Sequence, residues 1–173
     1  MSLARSVAIG LILVALWPGA WSIPAPSAIR TEVLVDRVRI EKASRTLILF
    51  SGDEVLKTYH VSLGRHPAGR KETRGDGRTP EGRYIIDGRN ANSRFHLALH
   101  ISYPDDNDRA RAKALGTDPG GEIMIHGLTN GLGWLGRLHR LVDWTNGCIA
   151  VTNAEIEEIW GLVPDGTAVE IVP

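Results

Sequence analysis

Residues 95–103 read FHLALHISY, and large apolar side chains occupy every second position of this stretch. Alternation with a period of two is typical of a β-strand that buries one face. Weaker patterns predict further strands at residues 33–38, 46–50, 55–63, 84–87, 122–126 and 168–172. We therefore expect a mostly-β fold, with two mixed sheets forming a sandwich or barrel and two or three helices around them.

Two segments carry helical patterns instead. Residues 105–115 begin with acids and continue with bases, the order that the helix dipole favours. Residues 153–163 place apolar side chains on one helical face, and Thr152 and Glu155 stand at the spacing of a capping box. Between the strands, residues 64–82 are rich in glycine and proline and predict a long loop without regular structure.

Composition limits the function. The chain has 173 residues, enough for one domain, and its 20 Lys and Arg residues balance its 20 Asp and Glu residues. Because no long run of one charge appears, neither a nucleic-acid partner nor a polybasic membrane patch is predicted.

The first residues resemble a secretory signal. Arg5 precedes the apolar run of residues 7–16 (VAIGLILVAL), and Pro18 follows it. This run is shorter than the roughly 20 residues that span a bilayer. We predict a signal peptide at 1–22, a linker at 23–32 and one domain at 33–173, with an uncleaved N-terminal anchor as the alternative. The protein is then exported to the periplasm or cell envelope.

Cys148 is the single cysteine, so an exported chain of this kind can form no internal disulfide. A lone thiol is either an inert core residue or a nucleophile. A nucleophilic thiol needs a base, and His126 is a candidate because an imidazole titrates near working pH. Backbone N–H groups at Gly147 and Cys148 are candidate donors to an oxyanion.

The sequence motifs around these two residues are specific. His126-Gly127 is followed by Thr145-Asn146-Gly147-Cys148, and residues 75–84 read GDGRTPEGRY. Over residues 33–172 the chain resembles the L,D-transpeptidase (YkuD-type) catalytic domain, whose signatures are a His followed by Gly or Ser, a later [S/T]-x-G-C and an upstream GDxxTPxGxY element.

The resemblance implies a reaction. In that family a cysteine attacks the carbonyl of the third residue of a peptidoglycan stem tetrapeptide, D-Ala leaves, and an amine resolves the thioester into an L,D cross-link. Cys148 would be the nucleophile and His126 the base, the Gly127 carbonyl would orient the imidazole, and Thr145, Asn146 and Gly147 would shape the pocket. No cofactor is implied, and we expect a monomer that binds peptidoglycan stem peptides.

Further substrate contacts are assigned from residue type. Lys71, Arg74 and Arg78 lie in the basic loop and can meet stem-peptide carboxylates, although charged surface loops often have no such role. Trp144 is either a substrate-stacking residue or a core residue. His139 lies between the two catalytic elements and is either a solvated histidine or part of the cleft.

Several alternatives stay open. Asn146 and Ala150 depart from residues common in the family, so the acceptor can be an amine, a protein or water, and an L,D-carboxypeptidase is the alternative enzyme. A sortase-like enzyme needs a later arginine, and no Lys or Arg follows Cys148. A wall-binding β module with a buried Cys148 is the non-catalytic alternative. A zinc site is not expected, because His96 and His100 lie on a strand and so about 13 Å apart.

Overall fold

The structure, a computed structural model, describes residues 34–173. The predicted signal peptide and linker lie outside the described residues. The elements of the described part follow in chain order: β1 Arg37–Glu41, β2 Thr46–Ser51, β3 Glu54–His60, β4 Gly82–Ser93, β5 His96–Ile101, α1 Asp106–Ala114, β6 Met124–His126, a 3₁₀ segment Gly133–Leu141, β7 Ile149–Ala150, α2 Asn153–Leu162 and β8 Ala168–Val172. Within this range, no helix is long and apolar enough to cross a membrane.

The strands form one mixed sheet of eight, in the order β3-β2-β1-β8-β4-β5-β6-β7. The pairs β1·β8 and β6·β7 are parallel and the other neighbours are antiparallel. The mostly-β prediction is confirmed, but the division into two sheets is wrong. β4 has 12 residues, and its first part pairs with β8 while its later part pairs with β5, so it joins both halves.

Alternating burial along the strands produces the core. On β1 and β2, Val38, Ile40, Leu47 and Leu49 are fully buried, while the residues between them are partly exposed. Each such side chain contributes about 1.5–3 kcal/mol by leaving water. The clearest strand of the sequence, β5, contributes Leu99 and Ile101 to the same core. Burial of one face thus fixes the register of the strands that lead to the site.

Helix α2 begins as its sequence predicts. The Thr152 hydroxyl accepts from the Glu155 N–H at 3.3 Å, and the Glu155 carboxylate accepts from the Thr152 N–H at 2.9 Å, which is a complete capping box. The next residue, Asn153, accepts from the N–H of Leu128 at 2.8 Å through its side-chain oxygen. The start of the helix therefore holds the chain just after β6.

The predicted loop at 64–82 has no long regular element, but buried ionic contacts fix its path. Lys42 is 3% exposed, and its ammonium donates to the Gly69 and Thr79 carbonyls and to the Glu81 carboxylate. The Asp76 carboxylate accepts from the Lys71 ammonium and from three backbone N–H groups of the loop. Isolated bridges then pair Ser62 with Ala150 and Gly64 with Thr145, against the segment that holds Cys148.

Candidate active site

Strand pairing brings His126 and Cys148 together. His126 ends β6, Cys148 directly precedes β7, and the parallel register aligns His126 with Ala150. Cys148 lies two residues before the residue that pairs with His126, which at strand spacing puts the two Cα atoms about 8 Å apart. The thiol donates to the Glu122 carbonyl at 3.4 Å and so lies against the approach to β6.

The His126 ring is held in one tautomer. Its Nδ1 lies 2.6 Å from the Gly127 carbonyl oxygen, which can only accept, so Nδ1 carries the proton and Nε2 keeps its lone pair. Phe95 packs on the ring with centroids 4.5 Å apart, and the Trp144 ring meets it edge-on at 5.8 Å. An imidazole oriented in this way is suited to accept a proton at Nε2.

Gly127 is required by the close approach of α2. A Cβ at this position would lie 2.8 Å from the Asn153 side-chain oxygen and 3.0 Å from both Ile156 and the Phe95 carbonyl. A larger residue would push the start of α2 away from the end of β6. The His-Gly dipeptide therefore has a packing reason in addition to its carbonyl.

The segment Thr145–Cys148 is a turn closed by one hydroxyl. Thr145 is 4% exposed, and its Oγ1 accepts from the Gly147 N–H at 3.1 Å and donates to the Cys148 carbonyl at 2.7 Å. Gly147 has a φ of +125°, and a Cβ there would lie 2.6 Å from the Arg78 carbonyl oxygen. This turn therefore requires a hydroxyl at Thr145 and a glycine at Gly147 in order to position Cys148.

One expectation about the turn changes. The Gly147 N–H is bound to the Thr145 hydroxyl at 3.1 Å and so is engaged within the turn itself. Of the two expected oxyanion donors, the backbone N–H of Cys148 therefore remains the candidate. The sequence alone does not show this, because it does not reveal which of the two backbone N–H groups is already hydrogen-bonded.

Burial disfavours the charged form of both reactive groups. Burial raises the pKa of the Cys148 thiol, and the Met124 N–H and the Lys71 ammonium oppose that rise. Burial also lowers the pKa of His126, against the effect of its bond to Gly127. These two shifts favour proton transfer during attack on a substrate over a preformed thiolate–imidazolium pair.

A polar cleft lies on the Cys148 side of this centre. It has a volume of about 270 Å³, and Lys71, Arg74 and Asn146 line it together with glycines of two loops. Lys71 is 4% exposed and is paired with Asp76 at 2.8 Å, while Arg74 is paired with Asp118 at 2.7 Å. The cleft thus presents cations that already have partners.

Arg78 has a different place from the one expected of a substrate-binding side chain. Its guanidinium donates to the Arg70 carbonyl at 3.3 Å and lies 3.6 Å from the Glu72 carboxylate. Its main-chain carbonyl is the atom that packs against Gly147. Arg78 therefore supports the turn through its backbone, and its side chain stays within the loop.

Sequence reasoning missed two neighbours of the centre and left a third open. Phe95 was predicted only as a strand residue, and Glu122 had no assigned role, yet they contact His126 and Cys148 respectively. His139 is 6% exposed and contacts Ser62 and Trp144, so it is buried beside the site. Since these contacts join distant segments, only the tertiary structure reveals them.

The other histidines lie outside this centre. His96 is paired with Glu157 at 2.6 Å and His100 with Asp87 at 2.5 Å, on β5 as the alternation predicts. Within residues 34–173, no group of three or more His, Cys, Asp or Glu residues is arranged to hold a metal ion.

Comparison with known proteins identifies a family. The family model of the L,D-transpeptidase catalytic domain (YkuD) matches residues 35–171. YafK of Escherichia coli (strain K12), which is named among the L,D-transpeptidases, is 31% identical over 133 residues, and the match covers 73% of this chain and 46% of YafK. YkuD of Bacillus licheniformis, named in the same way, is 27% identical over 163 residues, which cover 88% of this chain and 74% of that protein.

Solved structures give the same result. The helical cell shape determining protein Pgp2 from Campylobacter jejuni has a TM-score of 0.61 at 25% identity, over 79% of this chain and 47% of Pgp2. The chain thus spans about half the length of YafK and of Pgp2. From the family match over residues 35–171, the chain belongs to the L,D-transpeptidase catalytic domain family.

Proposed function

We propose that the chain is a cysteine-dependent L,D-transpeptidase that cross-links peptidoglycan stem peptides. The observation that carries the proposal is the parallel pairing of β6, which ends at His126, with β7, which directly follows Cys148, together with the bond of His126 Nδ1 to the Gly127 carbonyl. The thiol stands at the end of a turn whose glycine no larger residue can replace without a clash. Membership of the family supports the reaction class.

The first half-reaction forms an acyl-enzyme. The Cys148 sulfur attacks the carbonyl carbon of the third stem residue while His126 Nε2 takes the thiol proton. The backbone N–H of Cys148 donates to the developing oxyanion. The carbon–nitrogen bond to D-Ala then breaks, His126 returns the proton to the departing amine, and a thioester remains on Cys148.

The polar cleft supports binding of an anionic donor. Stem peptides carry carboxylates, and Lys71, Arg74 and Asn146 line the space beside Cys148. Lys71 is buried and held by Asp76, so its role is a fixed positive potential, whereas Arg74 is largely exposed and can exchange Asp118 for a substrate carboxylate. Exchange of one exposed partner for another costs little, since surface ion pairs are weak.

In the second half-reaction an amine attacks the thioester and forms the cross-link. The proposal places the enzyme outside the cytoplasmic membrane, where peptidoglycan lies. The similarity to Pgp2, a helical cell shape determining protein of Campylobacter jejuni, supports a role in wall architecture and cell shape. Hydrolysis of the same thioester would give an L,D-carboxypeptidase instead.

Product analysis tests the proposal. The protein is incubated with disaccharide-tetrapeptide, and the products are identified by mass. We expect cross-linked dimers and released D-Ala. Tripeptide alone would show that the enzyme hydrolyses the thioester and does not cross-link. If no D-Ala is released, a non-catalytic wall-binding module is favoured.

Two variants separate catalysis from folding. Cys148→Ala and His126→Ala should each abolish D-Ala release, because one removes the nucleophile and the other the base. His60→Ala is the matched control, since His60 is an exposed histidine at the end of β3 and should leave the rate unchanged. Full activity of Cys148→Ala would contradict the mechanism.

A further inference from the structure

One carboxylate outside the centre joins three distant parts of the chain. Asp143 stands just before Trp144 and the turn Thr145–Cys148, and its side chain is 11% exposed. Its Oδ1 accepts from the Leu63 N–H at 3.0 Å. Its Oδ2 accepts from Arg45 twice, from Nε at 3.0 Å and from Nη2 at 2.8 Å. Both oxygens are therefore engaged, one by the backbone and one by a guanidinium.

Leu63 is the residue through which this carboxylate reaches the turn. Leu63 is fully buried, and its carbonyl accepts from the Thr145 N–H at 3.1 Å while the carboxylate takes its own N–H. On the other side of Cys148, two backbone bonds of 2.9 and 2.8 Å join Ser62 to Ala150. The segment at residues 62–63 thus holds the chain both before and after the nucleophile, and the carboxylate is bonded to that segment.

Arg45 connects the carboxylate to the sheet. It directly precedes β2, and its carbonyl accepts from the Val61 N–H at 2.9 Å. Its guanidinium also donates to the Ala43 carbonyl at 3.4 Å. The partner of Asp143 is therefore fixed at its backbone and at its head group, although it is 98 residues away in sequence.

Asp143 is also the neighbour of a residue that packs on the base. The Trp144 ring meets the His126 ring edge-on at 5.8 Å. A shift of Asp143 would move Trp144 and Thr145 with it, because they are the next two residues. One of them contacts the base and the other closes the turn before the nucleophile. Such a shift would therefore change how the Cys148 sulfur faces His126.

We propose that Asp143 is a positioning residue for acyl transfer, which holds the turn of Cys148 in place relative to His126 through its bonds to Leu63 and Arg45. The inference rests on the proposed acyl-enzyme. Asp143 does not line the polar cleft, so it should affect the rate of the chemical step and not the binding of the stem peptide. A misplacement of about 1 Å caused by a distant change can slow a reaction about 100-fold.

Only a carboxylate can satisfy the donors on both sides. Both of its oxygens accept, whereas an amide offers one oxygen and one NH₂ group. In Asp143→Asn the NH₂ group must point at Arg45 or at Leu63, and a donor then faces a donor. When Arg45 is also replaced by alanine, the NH₂ group can face water while the amide oxygen keeps the Leu63 N–H. Loss of Arg45 should thus restore part of what Asp143→Asn removes.

The experiment measures acylation of the full chain in a single turnover. Disaccharide-tetrapeptide is added in excess at increasing concentrations, and the adduct on Cys148 is followed by intact mass. Urea unfolding of each variant gives its folded fraction, so that rates are compared per folded molecule. This comparison removes any effect that acts only through stability.

The two single variants and the double variant should follow a defined order. We expect Asp143→Asn to lower the maximal acylation rate about 50-fold, with an unchanged half-saturating concentration, and Arg45→Ala to lower it about fivefold. The double variant should acylate at least about fivefold faster than Asp143→Asn alone, because neighbouring residues in one hydrogen-bond network do not act additively.

Asp165→Asn is the matched control. The Asp165 side chain is 62% exposed and is paired with Arg89 at 2.6 Å. Arg89 also donates to the Trp160 carbonyl, which places this pair at the end of α2, away from the helix start that contacts the centre. The variant makes the same chemical change in an Arg–Asp pair and should leave the acylation rate unchanged.

The outcomes are distinct. A wild-type rate per folded molecule in Asp143→Asn would show that the pair serves stability alone and would overturn the inference. A double variant no faster than Asp143→Asn, or an equal loss in Asp165→Asn, would also overturn it, and each of these results leaves the acyl-enzyme mechanism standing. Wild-type protein that forms no adduct on Cys148 overturns the proposed function and this inference together.

Discussion

The Thr145 hydroxyl offers the most informative single substitution, because one oxygen closes the turn before Cys148. Thr145→Val keeps the shape of the side chain and removes both hydrogen bonds of Oγ1, at 2.7 and 3.1 Å. The Gly147 N–H and the Cys148 carbonyl then lose their partner in a buried turn. Each of the two unsatisfied groups costs about 1–3 kcal/mol, so we expect a loss of about 2–6 kcal/mol in the free energy of unfolding.

The fold should survive this change. The backbone of Thr145 still bonds to Leu63 and Arg65, at 3.1 and 3.0 Å. The loss should therefore appear as a lower urea midpoint and a melting temperature reduced by about 5–20 °C. Because the turn positions the nucleophile, we expect acylation of Cys148 to slow by about 100-fold.

Thr145→Ser is the matched control. Serine keeps the hydroxyl and loses one methyl group, so it should cost about 1 kcal/mol and retain most of the acylation rate. Stability is measured by urea unfolding, and acylation by the time course of the intact-mass adduct. A Thr145→Val protein with wild-type stability and rate would refute the claim that this hydroxyl builds the site.

Three further predictions concern other parts of the molecule. Gly147→Ala should stop acylation, because its Cβ would lie 2.6 Å from a backbone carbonyl oxygen at a φ of +125°; wild-type kinetics would contradict this. Lys42→Ala should lower the free energy of unfolding by about 3 kcal/mol, since it leaves the Glu81 carboxylate without its partner, and limited proteolysis should cut the loop at 64–82 faster. Burial holds the pKa of His139 at about 4. Below about pH 6.5 the unfolded chain therefore binds a proton that the folded chain does not bind until about pH 4. The free energy of unfolding falls over this range by up to about 3 kcal/mol as the pH is lowered. His139→Gln should flatten this part of the urea-unfolding profile, and an unchanged pH dependence would count against the assignment.

Much of the fold could be predicted because local patterns and the tertiary structure agree. The alternation in 95–103 appears as β5, the Thr152 and Glu155 pair caps α2 as expected, and the final strand is β8. The period predicts most of the buried residues: Leu99 and Ile101 on β5, Ile156 and Ile159 on α2, and Val169 and Ile171 on β8 are buried, while Leu97 and Trp160 are half-buried. Local propensity and packing point to the same answer there.

The missed elements depend on distant partners. β4 was predicted only at residues 84–87 because Gly88, Arg89 and Asn90 lack any strand pattern, yet β5 pairs with them and extends the strand. The 3₁₀ segment contains two glycines and kinks at Gly136, so it shows no continuous helical pattern. Its end is held by the Arg140–Glu155 ion pair, which the sequence does not reveal.

The site was predictable in its chemistry and less so in its neighbours. The sequence motifs identify His126, Gly127, Gly147 and Cys148. The structure supplies physical reasons for both glycines. The engaged Gly147 N–H and the place of the Arg78 side chain were not predictable, because both depend on how the loop at 64–82 packs against the turn.

The central claim is that Cys148 carries the acyl group. The direct measurement is the mass of the intact protein after a short incubation with disaccharide-tetrapeptide, followed by peptide mapping of the adduct. We predict an increase equal to the disaccharide-tripeptide acyl group, located on the peptide that contains Cys148 and lost after treatment with hydroxylamine. Release of D-Ala without any adduct on Cys148, or an adduct mapped to another residue, would contradict the account.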